Sequence, residues 1–524
     1  MKSLEVLNLY SQHNGTLSSL LESRVNKNSE KECLLFENKR SVLWKDFYSW
    51  VAGLSQYLSE KNIQKNSRVI TILPNSDLNV ALYFAINDLG AINIPLNPDL
   101  TLDEYTYLLN HADPAIVIVG PELIEKISQI KRSPLILLTE EKFFQLRASK
   151  LKNLGTADDT GLILYTSGTT GFPKGVMHSQ KTSIMAGEAF VERMHLQPSE
   201  RILCILPLFH INALFYSMMG SFAAGATLII NQKFSASKFW SLASDTKATQ
   251  VNIIAAIGNI LAKRNRNEWR SDHCLKKIYG APVSKEISHV FTSEFKIPII
   301  LEGYGMTEIP GALNNQIEGK SRIGTMGVEA LHPNPNLTLT EVKIIDEDEN
   351  QVRGPTKKEA GEMGELVVKT PLLMQGYYKD SEQTKKSFTK DGWFKTGDYA
   401  FKDSDGFYVF CSRKKDIIRK KGENISGAEL DRVIATCPQV LEVATIGVPS
   451  SLGEEEILVA LVKEDKSLLC EKDIRKWCEE KLPPHKWPRY ICFVKELPHT
   501  PTQRVAKYKL KNDPTILTEA KEFD

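Results

Sequence analysis

Short continuous apolar runs and longer mixed segments alternate along the first third of this chain. Ser67–Pro74, Ala91–Leu96 and Ala115–Val119 read as buried strands, while Leu78–Leu89 and Leu102–His111 carry helical spacing. Such alternation predicts a parallel sheet with crossover helices. Residues 120–160 are polar and irregular. The pattern resumes at Leu162, and Ser199–Leu206, Thr227–Ile230, Gln250–Ala255 and Lys276–Tyr279 read as further strands. Around Glu341–Ile345 and Gly364–Lys369 it turns to strands separated by turns. After Ser412 the character changes, with Lys414, Lys415, Arg419, Lys420 and Lys421 inside eight residues. A small α+β piece of about 110 residues follows, an ordinary domain size.

The chain has 524 residues, too many for one core, so two or three domains are expected. Net charge is +2, which gives no global field for nucleic acid or an anionic membrane. The longest apolar stretch, Ala213–Ile230, is interrupted by Ser217, Gly220, Ser221 and Gly225, so no membrane span is expected. No signal-peptide core opens the chain. Eight scattered cysteines without a Cys-x-x-Cys pair fit a reduced, cytoplasmic setting and suggest no zinc site.

The densest chemistry lies at residues 165–175, Tyr-Thr-Ser-Gly-Thr-Thr-Gly-Phe-Pro-Lys-Gly. Gly168, Gly171 and Gly175 let the backbone come close to an anion. Successive amides in such a loop form an anion-binding nest. Tyr165, Thr166, Ser167, Thr169 and Thr170 add hydroxyls, and Lys174 adds a point charge suited to phosphate. The apolar run Gly161–Leu164 feeds the loop as a strand. A solvated linker, the alternative, needs neither that strand nor the lysine. The common nucleotide loop Gly-x-x-x-x-Gly-Lys-Ser/Thr is excluded: counting from Gly168 places Pro173, Lys174 and Gly175 at its last three positions. No Gly-x-Gly-x-x-Gly signature is present.

This loop resembles the phosphate loop of the adenylate-forming superfamily of acyl-CoA synthetases, coumarate-CoA ligases, luciferases and peptide-synthetase adenylation domains. The resemblance continues, in order, at Tyr304-Gly305-Met306-Thr307-Glu308, at Trp393-Phe394-Lys395-Thr396-Gly397-Asp398 and from Arg413 to Gly422, and covers roughly residues 30–510. It implies an α/β fold: a large N-terminal domain (1–412) with parallel sheets and a distorted β-barrel, and a small mobile α+β C-terminal domain (413–524). It also implies ATP, Mg2+ and coenzyme A as the molecules handled.

The implied chemistry joins a small-molecule carboxylic acid to AMP and then to a thiol. Both first reactants are anions, so catalysis is charge neutralisation and alignment. By resemblance, Thr166, Ser167, Gly168, Thr169, Thr170, Gly171 and Lys174 hold the phosphates. Thr307 is the α-phosphate donor and Glu308 the magnesium ligand, a single carboxylate being enough for that ion. A plain helix-terminal carboxylate is the alternative for Glu308. Tyr304 resembles the adenine-stacking ring, and Gly280-Ala281-Pro282 the loop on the other face, with Glu302 and Gly303 in the same nucleotide stretch. Asp398 resembles the ribose acceptor, supported by Arg413; alone it would read as a turn residue. His210, in Pro207-Leu208-Phe209-His210, resembles the gate between acyl pocket and thiol tunnel. Read without that context, it would be a core histidine. Ile257, Gly258, Tyr279, Gly303 and Met306 would line the acyl pocket, small and apolar enough for a fatty or carnitine-like acid. No acid stands where an amino-acid substrate would need one.

The second half-reaction is implied to use rotation about Lys415. That brings Lys421-Gly422-Glu423-Asn424-Ile425 to the pantetheine arm, with Arg419, Lys420 and Lys421 near the phosphates of CoA. A solvated basic face is the alternative. Two departures stand out. Gly427 replaces a common proline, which loosens the loop. The C-terminal block reads Pro501-Thr502-Gln503-Arg504-Val505, with Arg504 at the place of the adenylation lysine and Lys507 a weaker substitute. An acyl-CoA ligase is the leading reading; loading of a carrier protein, oxygenation of the adenylate and nucleotide sensing without turnover are the others. Oligomeric state is silent.

Overall fold

The computed structural model describes residues 1–37, 39–130, 134–138, 140–166, 173–420, 423–450, 455–499 and 505–523. The chain forms two compact units. Among the described residues, the first comprises those of 1–166, 173–341 and 369–387; the second comprises those of 342–368 and 388–523. Residues 342–368 and 388–412 thus group with the C-terminal residues.

The first unit holds two large sheets. One has seven strands, in the order Gly376–Tyr377, Lys174–Ser179, Thr160–Thr166, Ile92–Pro95, Arg68–Ile72, Ile116–Val119, Leu135–Leu137. Its last five strands pair in parallel, as the alternating pattern predicts. The other has nine strands. Its parallel centre runs Ile299–Met306, Lys277–Gly280, Gln250–Ile253, Arg201–Cys204, Thr227–Ile230, Glu32–Phe36. Antiparallel strands close both edges.

Every residue of the helix Asp77–Asp88 is buried. That explains an apolar pattern without a wet face. Its last residue, Asp88, accepts bonds from Ser18, Ser55 and the amides of Lys152 and Asn153, so that buried carboxylate is satisfied. Trp44, Phe47, Phe84 and Phe222 meet in the core nearby, with ring centroids 4.6 to 5.7 Å apart.

The structure corrects two sequence expectations here. Residues 120–160 are not wholly irregular: Leu135–Leu137 adds a parallel edge strand, and Ile124–Ser128 and Glu140–Gln145 are short helices. The apolar run Leu135–Leu138 is only four residues long, the shortest that reads as a buried strand. The strand expected to reach Ala255 ends at Ile253, and Ala255 opens the helix Ala255–Lys263.

Glu341–Ile345 and Gly364–Lys369, expected as strands, pair with Phe394–Lys402 and Tyr408–Arg413 as a four-stranded sheet of the second unit. Ile345, Val367 and Trp393 form its small core. A hairpin follows (Ile417–Lys420 with Glu423–Ser426). Then come four strands, Val440–Pro449, Glu455–Lys463, Tyr490–Phe493 and Lys521–Glu522, packed with the helices Gly427–Ile434 and Glu471–Lys481. Gly427 does not loosen this region. It is the buried first residue of its helix, under the Ser426 cap, and a side chain there would press on the Thr445 carbonyl.

Candidate active site

The strands Thr160–Thr166 and Lys174–Ser179 are antiparallel, with Thr166 opposite Lys174, so the hydroxyl-rich loop closes a hairpin. Ser167, Gly168, Thr169, Thr170 and Gly171 lie outside the described residues; Thr166 and Lys174 mark the ends of the loop. Both ends are held by the helix Leu102–Ala112. His111 Nδ1 lies 2.8 Å from the Tyr165 hydroxyl, and the Tyr107 hydroxyl donates to the Pro173 carbonyl at 3.3 Å. The Tyr378 amide fixes Gly175 by donating to its carbonyl at 2.7 Å.

Lys174 points its ammonium over a ring absent from the expected site, with Nζ 5.3 Å from the centroid of Tyr377. The Tyr377 hydroxyl in turn donates to Glu308 Oε1 at 2.8 Å. Burial, together with that carboxylate, pushes the Tyr377 phenol well above its ordinary range, so it stays a donor.

Thr307 and Glu308 form the tight turn between Ile299–Met306 and Ile309–Asn314, in which Met306 pairs with Ile309. Glu308 therefore does not begin a helix. It is 8% exposed, and its carbonyl accepts from the Met374 amide at 2.9 Å. His178, on the strand that starts at Lys174, donates from Nε2 to the Thr307 carbonyl at 2.7 Å. Burial pulls His178 down to about 4, so the ring is neutral at physiological pH. Two backbone contacts and one phenol thus fix the Thr307-Glu308 turn.

The turn is continuous with the expected adenine slot. Tyr304 and Met306 are half-buried and Gly305 is exposed, while Ala281 and Pro282 lie beside the strand end at Gly280. Glu302 links the two segments. Its carboxylate accepts from the Val283 amide at 3.1 Å and the Gly324 amide at 2.7 Å. Burial raises Glu302 to about 7 despite those two donors.

Of the expected acyl-pocket residues, Ile257 is buried, and a side chain on Gly258 would contact Ile287. Tyr279 is buried too, its hydroxyl occupying the space a side chain on Gly303 would need. His210 is half-buried in the turn that leads into Asn212–Met218, its ring against Phe209.

In the second unit, Asp398 is fully buried and paired across the sheet with Arg413, whose Nε lies 2.9 Å from Oδ1. Its amide donates to Thr396 Oγ1, and Gly397 takes a left-handed φ of +70° to make that turn. Lys415 is exposed in the turn Lys414–Asp416, and Arg419 is exposed and pairs with Glu347. Lys420 does not face solvent. Its ammonium is buried between Glu456 Oε2, at 3.0 Å, and the Trp487 carbonyl, so it cannot attract CoA. Lys507 is bound to the half-buried carboxylate of Asp431, which removes it as a substitute adenylation cation. Lys421, Gly422 and Arg504 lie outside the described residues.

The model of the AMP-binding enzyme family matches residues 21–378, and that of the AMP-binding enzyme C-terminal domain matches residues 429–504. The chain belongs to the AMP-binding enzyme family. Within it, the chain is 29% identical over 495 residues to Peroxisomal OPC-8:0-CoA ligase 1 of Arabidopsis thaliana, covering 90% of this chain and 88% of the relative. It is 29% identical over 512 residues to Sulfoacetate–CoA ligase of Cupriavidus necator, covering 95% and 97%. Among solved structures, ATP-bound MatB from Rhodopseudomonas palustris shares the fold, with a TM-score of 0.86 at 24% identity, covering 95% of this chain and 98% of that one. The expected adenylate-forming membership and the α/β fold of this AMP-binding enzyme are borne out. Among its described residues, no helix is long and apolar enough to cross a membrane.

Proposed function

We propose that this AMP-binding enzyme is an ATP-dependent acyl-CoA ligase that works in two steps. In the first, a carboxylate oxygen attacks the α-phosphorus of ATP, the bond to the β-phosphate breaks, and pyrophosphate leaves. In the second, the sulfur of CoA attacks the acyl carbon, the carbon–oxygen bond to AMP breaks, and the thioester forms. The observation that carries the reading is the grouping of Lys174, Tyr377 and Glu308 beside the phosphate loop. A cation and a carboxylate held on either side of one phenol suit a triphosphate and its counter-ion.

In this reading Thr166 to Gly171 and Lys174 hold the phosphates, and Thr307 holds the α-phosphate. Tyr304 and Gly280 to Pro282 hold the base, with Glu302 and Gly303 behind them. Asp398 takes the ribose hydroxyls, aimed by Arg413. Glu308 is the magnesium ligand. A buried carboxylate backed by a phenol fits a hard ion that takes the rest of its oxygens from phosphate and water. Bound there, magnesium would neutralise phosphate charge. Arg504 supplies the cation for adenylation, and His210 gates the acyl pocket. Lys415 is the hinge of the 413–524 piece, and Arg419, Lys421 and Gly422 serve the CoA step. The eight cysteines are all unpaired, which supports a reducing compartment, and we assign the reaction to the cytoplasm. The relatives are named for acids as unlike as OPC-8:0 and sulfoacetate, so the family leaves the acid open.

The test is a panel of acids incubated with ATP, with and without CoA. AMP and pyrophosphate formed with one acid, and multiple turnover only when CoA is added, support the reading. Turnover that needs a carrier protein bearing a free thiol instead of CoA would move the acceptor, and absence of AMP with every acid would overturn it.

A further inference from the structure

We infer that the acid carries a second anionic group, a carboxylate or sulfonate, and that the Arg193 guanidinium is its counter-charge. The inference rests on the ligase reading and names the substrate class of that site. Arg193 lies in the last turn of the helix Gln180–Met194 and is 4% exposed. Its guanidinium carbon stands 5.1, 5.2 and 5.8 Å from the ring centroids of Tyr216, Tyr279 and Phe190. Nη2 donates to the Gly311 carbonyl at 2.9 Å, and Nη1 lies 3.4 Å from the Tyr279 hydroxyl. Nε is buried without a partner. Among the described residues, no carboxylate lies within ion-pair distance of it.

A buried charge with no counter-ion is strongly disfavoured. Three aromatic faces attract a cation without neutralising it, and the helix C-terminus adds little. The other deeply buried arginine, Arg24, shows what a purely structural role looks like here. All three of its nitrogens are engaged, by the carbonyls of Phe222 and Ala223 and by Ser23 Oγ, at the end of the helix Met219–Ala224. Arg193 keeps one nitrogen spare instead.

Its position fits recognition. Tyr279 and Gly303 are expected to line the acyl pocket, and the guanidinium stands beside the Tyr279 hydroxyl. A side chain on Gly311 would overlap the guanidinium, so that glycine keeps the space for it. An alkyl tail would leave the cation facing hydrocarbon, and a tail ending in a quaternary ammonium would face like charge. The sequence showed small and apolar lining residues; the cation behind them belongs to a helix more than eighty residues upstream of Tyr279.

The test compares straight-chain monoacids with α,ω-diacids and ω-sulfonates of equal length, scored by AMP release from the full-length enzyme. The expected result is a kcat/KM at least about 10-fold higher for the best dianion than for its matched monoacid. Arg193→Met should lower the dianion value about 100-fold and reverse the preference, while Arg193→Lys keeps its direction. A wild-type enzyme that prefers a monoacid or a quaternary-ammonium acid would overturn the inference without any variant. So would a variant that loses both acids equally. If no acid yields AMP, the ligase reading fails instead. Thermal shift then decides: stabilisation of the wild type, and not of Arg193→Met, by suberate or an ω-sulfonate supports Arg193 as an anion site, and no stabilisation overturns it.

Discussion

Tyr377 and Glu308, 69 residues apart in sequence, meet in a hydrogen bond of 2.8 Å, with the Lys174 ammonium 5.3 Å from the centroid of the same ring. The phenol therefore helps to set where the carboxylate points and brings a cation and an anion to one tyrosine.

Tyr377→Phe removes the donor and keeps the ring. A hydrogen bond to a charged acceptor is worth about 1.5–3 kcal/mol. Adenylation should slow by about 10- to 100-fold with little change in melting temperature, and pyrophosphate exchange measures it. The apparent affinity for magnesium should change as well. A purely structural tyrosine would instead lower the melting temperature and leave the magnesium dependence alone.

Glu302 makes stability depend on pH. Its folded-state pKa, about 7, is raised above the ordinary 4.5. Its contribution is therefore fully present below about 4.5 and is lost as pH rises through 7, up to a ceiling of about 3 kcal/mol. Glu302→Gln is neutral throughout. The melting-temperature difference between wild type and variant should shift in favour of the variant between pH 4.5 and 7.5, then level off. A constant difference across that window would refute the assignment.

Arg504→Ala should depress acyl-adenylate formation far more than thiolysis of pre-made acyl-adenylate, because only the first step brings two anions together. Single-turnover measurement of each half-reaction separates the two. Equal losses in both would refute the role of Arg504 in adenylation.

The parallel strands of the first unit were legible because they are apolar runs and their crossovers have helical spacing, from Arg68–Ile72 through Ile116–Val119. The candidate nucleotide residues stand in the sequence as contiguous words, Tyr304 to Glu308 and Thr396 to Asp398. What the sequence hid is whatever depends on distant contacts. Tyr377 reads as an ordinary strand tyrosine until the fold brings Glu308 to it. His178 reads as a lone histidine in a strand, although it fixes the Thr307 carbonyl. Lys420 and Lys421 look alike in a basic run, yet the first is buried against Glu456. Arg193 reads as a cation closing a helix, and only packing turns that face inward.

The most direct measurement follows both halves of ATP with a turned-over acid and CoA. The account predicts cleavage between the first and second phosphates, one AMP and one pyrophosphate per thioester, and loss of that activity in Lys174→Ala and Glu308→Gln. Formation of ADP and inorganic phosphate, or undiminished AMP formation in those variants, would contradict it.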